Sequence, residues 1–85
     1  MGSLRFEGVR FSVYSDDHAP PHIHASYAEV VVVIDLLIAQ RAVALSKRRN
    51  AVTPLNGSRA DVNYILELAA NHFDALVHLW ETIHG

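Results

Sequence analysis

Residues 16–27 read DDHAPPHIHASY, and this stretch holds three of the chain's six histidines and two of its three prolines. In an extended strand His22 and His24, two positions apart, lie on the same face. His18 immediately precedes the proline-bounded turn, whose fixed φ angles limit how far that loop can wander. The three imidazoles, with Asp16 or Asp17 as a fourth group, therefore have a route to one another. Neutral imidazole and carboxylate together ligate divalent transition ions, zinc or nickel among them, which makes His18, His22, His24 and Asp17 a candidate metal set. Without metal, histidines flanking a phosphodiester act as general base and general acid, which makes His18, His22 and His24 candidate catalytic groups. A third reading is structural: Asp and His side chains satisfy the backbone of a proline-bounded turn without any chemistry.

Basic residues supply the remaining candidates. Arg10 and Arg48, with Asp16 and Asp17, are binding candidates, and either arginine can steady phosphate charge. Lys47-Arg48-Arg49 also reads as a solvated strand end, and Arg41 or Arg59 joins it only if the fold allows. His72, His78 and His84 recur at a spacing that winds around a helix, so they form no ligand set. Trp80 reads as a core anchor. The chain has no phosphate-cradling glycine loop, Walker pattern or serine elbow.

Two periods organise the elements that position these groups. In VRFSVY, Val9, Phe11 and Val13 alternate with Arg10, Ser12 and Tyr14, so residues 9–14 read as a half-buried strand. Residues 22–36 are extended and rich in β-branched side chains toward their end. No Gly, Asn or Asp marks a tight turn inside that run, so Ala28-Glu29 is a poor hairpin tip or the strand continues unbroken. An unbroken strand is one that two subunits can exchange. Residues 42–46 form a further short strand, and 51–57, with Pro54 and Asn56-Gly57, a loop. Then Ser58-Arg59-Ala60-Asp61 gives a capping box. Val62, Leu66, Ala69, Phe73, Leu76, Trp80 and Ile83 follow as one apolar stripe on a helix over about 59–83. Such a helix is roughly 37 Å long, so it bends near Asn71-His72 or overhangs. The expected architecture is α+β: a small antiparallel sheet of three to four strands, then one long C-terminal helix packed on it.

At 85 residues the chain is a single domain spanning 1–85. Hydrophobic residues are 51% and charged residues 19%, more apolar surface than one small core absorbs, so a homodimer, strand-exchanged if the long strand is unbroken, is expected. The net charge of −2 offers no basic field, leaving nucleic acid weakly supported as a partner. With no cysteine, disulfides, thiolate ligands and thiol catalysis are excluded. The longest apolar run, Val30 to Ile34, is far too short for a membrane span, and MGSLRFEG lacks the apolar core of a signal peptide. A cytoplasmic protein without membrane contact is expected.

Together VYSDDHAPPHIHASY, the apolar strand after it and the terminal ANHFDALVHLWETIHG resemble the bacterial family called domain of unknown function 4160. That family's Asp-His, then proline, then His-x-His falls on Asp17, His18, Pro20, Pro21, His22 and His24. The helix opening at Ser58-Arg59-Ala60-Asp61-Val62-Asn63 and the late Trp80 also match, and the likeness runs from about Phe6 to Gly85. Relatives have a glycine-containing turn where this chain has Tyr27-Ala28-Glu29. No settled activity comes with the resemblance. It implies a component of a small toxin–antitoxin-like or mobile-element module, and hence a cognate small protein partner. The reading that follows is a partner-binding protein. A ribonuclease or phosphodiesterase using the histidine motif is the alternative, and a metal-binding module the third.

Overall fold

Alternation of apolar and polar residues builds a sheet over the first two-thirds of the chain, and the change to helical period closes it. The computed structural model describes residues 1–85. Its strands are β1 (Gly2–Phe6), β2 (Val9–Val13), β3 (His22–Tyr27), β4 (Val30–Leu37), β5 (Ala42–Leu45) and β6 (Val52–Thr53). A 3₁₀ turn (Ile38–Gln40) precedes β5, and the helices are α1 (Arg59–Asn71) and α2 (Phe73–His84). Every pairing is antiparallel, in the order β1-β2-β3-β4-β5. β5 pairs with Ile34–Leu37 and β6 with Val31–Val32, so both lie along one edge of β4.

Six strands and two helices replace the expected three to four strands and one long helix. The extra first strand comes from Glu7-Gly8, both at positive φ (47° and 87°), a two-residue turn whose twist suits a hairpin. β1 then runs so close to α2 that a Cβ on Gly2 would lie 2.8 Å from the Leu79 side chain. β6 forms within the expected loop because the chain stays laced to β4. Ser46 N–H donates to Val33 O at 2.9 Å and Val33 N–H to Ala51 O at 2.8 Å. Residues 22–36 are not one strand but a hairpin, with Tyr27 opposite Val30 and Ala28 held at φ 52°.

The long helix is interrupted at His72, whose φ of −113° and ψ of 26° leave the helical region. His72 N–H still donates to Leu68 O and Leu76 N–H to His72 O, so the break is a bend at the expected place. The His72 ring stacks on Phe6 of β1 at 3.8 Å, and Arg41 bonds Asp74 at 2.9 Å just beyond. The bend keeps both helices on the sheet: the longest dimension of the molecule is 34 Å, less than a straight helix of roughly 37 Å over these residues. At the other end Ser58 Oγ accepts the Asp61 N–H at 3.4 Å, half of the expected capping box.

Both helices cover one face. Val9, Phe11, Val13, Ile23, Ala25, Val32 and Ile34 are fully buried there against Val62, Ile65, Leu68, Ala69, Leu76 and Trp80. Each fully buried aliphatic or aromatic side chain contributes about 1.5–3 kcal/mol. Leu66 and Ile83 of the expected stripe are only half-buried, while Ile65, Leu68 and Leu79 are buried, because the helices bury a wider stripe than the one read from period alone. By alternation, Arg5, Arg10, Ser12, His24, Ser26, Val31, Val33 and Asp35 point to the face without helices. No helix is long and apolar enough to cross a membrane.

Candidate metal centre

The centre begins with a turn. After β2, Asp17 N–H donates to Tyr14 O at 3.1 Å, and Asp17 Oδ2 accepts the Tyr14 N–H at 3.0 Å. This reciprocal pair fixes the carboxylate and leaves Oδ1 facing β3. Burial alone would raise the Asp17 pKa. The Tyr14 bond, the His24 hydrogen bond and the positive charge that His24 and His22 carry when protonated outweigh it and hold the carboxyl below its ordinary 3.8.

His22 opens β3 and is almost completely buried, at 1% exposure. Its Nδ1 lies 3.0 Å from Pro20 O, and since a carbonyl only accepts, that nitrogen carries the proton. Asp17 Oδ1 lies 3.5 Å from Nε2, and Arg48 Nη2 lies 3.3 Å from Nε2 and 3.5 Å from Nδ1, beside the ring rather than in line with the Nε2 lone pair. Trp80 backs the ring, its centroid 5.4 Å away. His24, on the same side of β3, places Nε2 3.3 Å from the same Asp17 oxygen. The tip of α2 braces the assembly: His84 stacks on Trp80 at 4.0 Å, and its Nε2–H donates to Tyr14 O at 3.1 Å.

Of the residues singled out in sequence, Asp17, His22 and His24 come together, their ligand atoms all within 4.8 Å of one another. His18 and Asp16 are exposed and stand outside this group. The proline-bounded loop turns His18 away while the Tyr14–Asp17 turn presents the next carboxylate inward. Arg48 joins because the segment from Ser46 to Ala51 leaves and rejoins the sheet at Val33, directly opposite His24, and so loops over the site. Lys47, Arg48 and Arg49 are all exposed, and of the three it is Arg48 that reaches His22. Arg10 lies on the open face, lining a groove of about 250 Å³ with Ser12, Tyr14, His24, Ser26 and Val31. Trp80 does anchor the core, but it also supports His22, a role no spacing announced, and the same is true of Tyr14 and His84. No fully buried side-chain nitrogen or oxygen lacks a partner, so Arg48 and Pro20 satisfy His22 in this state.

Comparison with curated proteins finds no match, and neither does comparison with solved structures. A family model does match, over residues 8–81, and that span contains the turn at Asp17, both strand histidines, Arg48 and Trp80. The chain therefore belongs to the family described as Domain of unknown function (DUF4160).

Proposed function

We propose that this protein binds one divalent transition ion through Asp17 Oδ1, His22 Nε2 and His24 Nε2, and offers the ion's remaining position to a substrate or water. The observation that carries the reading is the placing of one Asp17 oxygen 3.3 and 3.5 Å from two histidine Nε2 atoms. These separations are long for charge-assisted hydrogen bonds, which run about 2.7–2.9 Å. They match the ligand–ligand edge of a tetrahedron, roughly 3.3–3.6 Å, at zinc–ligand distances of about 2.0–2.2 Å. The whole ligand set lies within 4.8 Å, and imidazole with carboxylate suits zinc and nickel alike. The carbonyl of Pro20 on His22 Nδ1 is the kind of outer partner that fixes the tautomer of a metal-bound imidazole. Three protein ligands leave a fourth position, the pattern of catalytic rather than structural zinc, and a bound ion there would lower the pKa of water or polarise a substrate oxygen. Metal-free acid–base chemistry is less well supported, since both Nε2 atoms converge on one carboxylate instead of flanking a space for a scissile bond.

The test is metal content by elemental analysis of untagged protein purified without chelator, followed by zinc and nickel titration calorimetry. Near-stoichiometric uptake in the wild type, lost in His22→Ala, is the expected result. A wild type that takes up neither ion at 0.1 mM, an order-of-magnitude ceiling for a specific site, ends the reading.

A second reading, binding of a second copy or of a cognate small protein from a toxin–antitoxin-like module in the cytoplasm, is supported by a different observation. Leu37, Ile38 and Leu45 are 37, 44 and 39% exposed around the edge strand β5. Strand exchange through residues 22–36 loses its basis, because that segment closes on itself as a hairpin. Light scattering on the wild type beside Ile38→Asp tests self-association. A monomer in both cases removes the homodimer.

A further inference from the structure

We propose that the groove beside Asp17, His22 and His24 is a phosphate subsite, in which Arg10 holds the phosphoryl group of a phosphate-ester substrate and Arg5, opposite it on the outer strand, reaches in from outside the lining. Its chemistry rests on the metal centre proposed above; its binding does not.

Arg5 and Arg10 sit directly opposite each other in the β1–β2 pairing, on the face that no helix covers. Like charges in that position are destabilising, and both side chains are exposed. Neither takes part in an ion pair: the carboxylates so engaged are Asp17, with His22 and His24, and Asp74, with Arg41. No ion pair within the fold offsets the repulsion of these two guanidinium groups. An anion does. Each guanidinium offers five N–H donors, together more than the two oxygens of a carboxylate can use and well suited to the oxygens of a phosphoryl group.

The surroundings fit the same ligand. Ser26 is directly opposite Arg10, and Ser12 directly opposite His24, so two hydroxyl-bearing residues share the groove. Arg10 and His24 are diagonal neighbours across β2 and β3, about 7–8 Å apart between Cα atoms, within reach of an arginine side chain. A phosphoryl group held by Arg10 therefore lies beside His24, which is part of the ligand group and also lines the groove. One phosphate oxygen can then face the ion's open position while the others face the arginines.

The experiment is calorimetric titration with phenyl phosphate, inorganic phosphate and acetate, on zinc-free and zinc-loaded protein, for the wild type, Arg10→Ala, Arg10→Lys and Arg5→Ala. Circular dichroism confirms that these surface variants fold. Phenyl phosphate is expected to bind zinc-free wild type at least tenfold more tightly than acetate. Arg10→Ala should weaken it at least tenfold, Arg10→Lys should restore part of the loss, and Arg5→Ala should cost severalfold. Zinc uptake by Arg10→Ala should equal that of the wild type. Phenyl phosphate binding that is indifferent to both arginines overturns the subsite, and so does acetate binding equally well. Binding of inorganic phosphate without the ester overturns the substrate class. If wild type refuses zinc yet binds phenyl phosphate through Arg10, the metal centre falls and the subsite stands.

Discussion

Replacing Asp17 by Asn removes one negative charge while keeping the shape of the side chain, and its effects differ in the metal-free and metal-loaded protein. An ion that binds only the native state at one hundred times its dissociation constant stabilises by about 2.7 kcal/mol. The chain has 85 residues. At about 2.1 cal/mol/K per residue its unfolding entropy is roughly 180 cal/mol/K, so zinc should raise the wild-type Tm by about 15 °C. Without zinc, Asp17 Oδ2 accepts from Tyr14 N–H and Oδ1 faces His24 Nε2. Removing the carboxylate's charge from the Tyr14 hydrogen bond and from beside His24 costs about 1–3 kcal/mol, so Asp17→Asn should melt several degrees lower even without metal. With zinc, the neutral amide leaves two histidines as the only strong ligands, and the rise should shrink to about 3 °C or less, equivalent to saturation only near the dissociation constant. Asp16→Asn is the control, because Asp16 is exposed and outside the ligand group. Differential scanning fluorimetry of the three proteins, with and without zinc, gives all these numbers. A zinc-dependent rise as large in Asp17→Asn as in the wild type, or its loss in Asp16→Asn, would refute the assignment of the carboxylate.

Other perturbations follow from the same geometry. His22→Ala should cost about 2–4 kcal/mol in urea denaturation, because a buried ring and its bond to Pro20 are lost, whereas exposed His18→Ala should stay within about 0.5 kcal/mol. Equal costs would put the structural weight of the motif elsewhere. Arg48→Gln should tighten zinc binding by roughly 3- to 10-fold in titration calorimetry, since it removes a cation beside His22 that repels a divalent ion. Weaker binding in that variant would make Arg48 a supporting group instead. Ala28→Gly should raise stability by about 0.5–1 kcal/mol, because alanine at φ 52° is strained where glycine is not. A loss would show that the unfolded-state entropy of glycine outweighs that strain. For metal-free protein, the contribution of Asp17 should be fully present above its unfolded pKa, near 3.8, and should fade as pH falls through its lower folded value. Acid titration of wild type beside Asp17→Asn tests this, and parallel curves below pH 4 would contradict it.

Much of the site lies in one contiguous stretch and was therefore legible as chemistry before any fold was known. That His22 and His24 share a face follows from strand geometry alone, and so does the burial of Val9, Phe11 and Val13. Helix length against the size of so short a chain left a bend near Asn71-His72 or an overhang, and the structure takes the bend. The first strand was missed although Phe6-Glu7-Gly8-Val9 carries a two-residue turn with glycine, a signal present in the sequence. The hairpin at Ala28-Glu29 had no such signal: the pairing of Ile23 with Ile34 and of Ala25 with Val32 in the core holds an unfavourable turn in place.

The residue types of the candidate site, the face that His22 and His24 share and helical cover for the sheet follow from covalent geometry and from spacing within a few residues. Tertiary structure decided which candidates meet. Asp17 was chosen over Asp16 and His18 by the paired bonds to Tyr14, and Arg48 was carried to His22 by a loop gripped at Val33. Trp80 and His84 reached the same site from the far end of the chain. Contacts across such separations exist only once the sheet and helices have packed, and no local period records them.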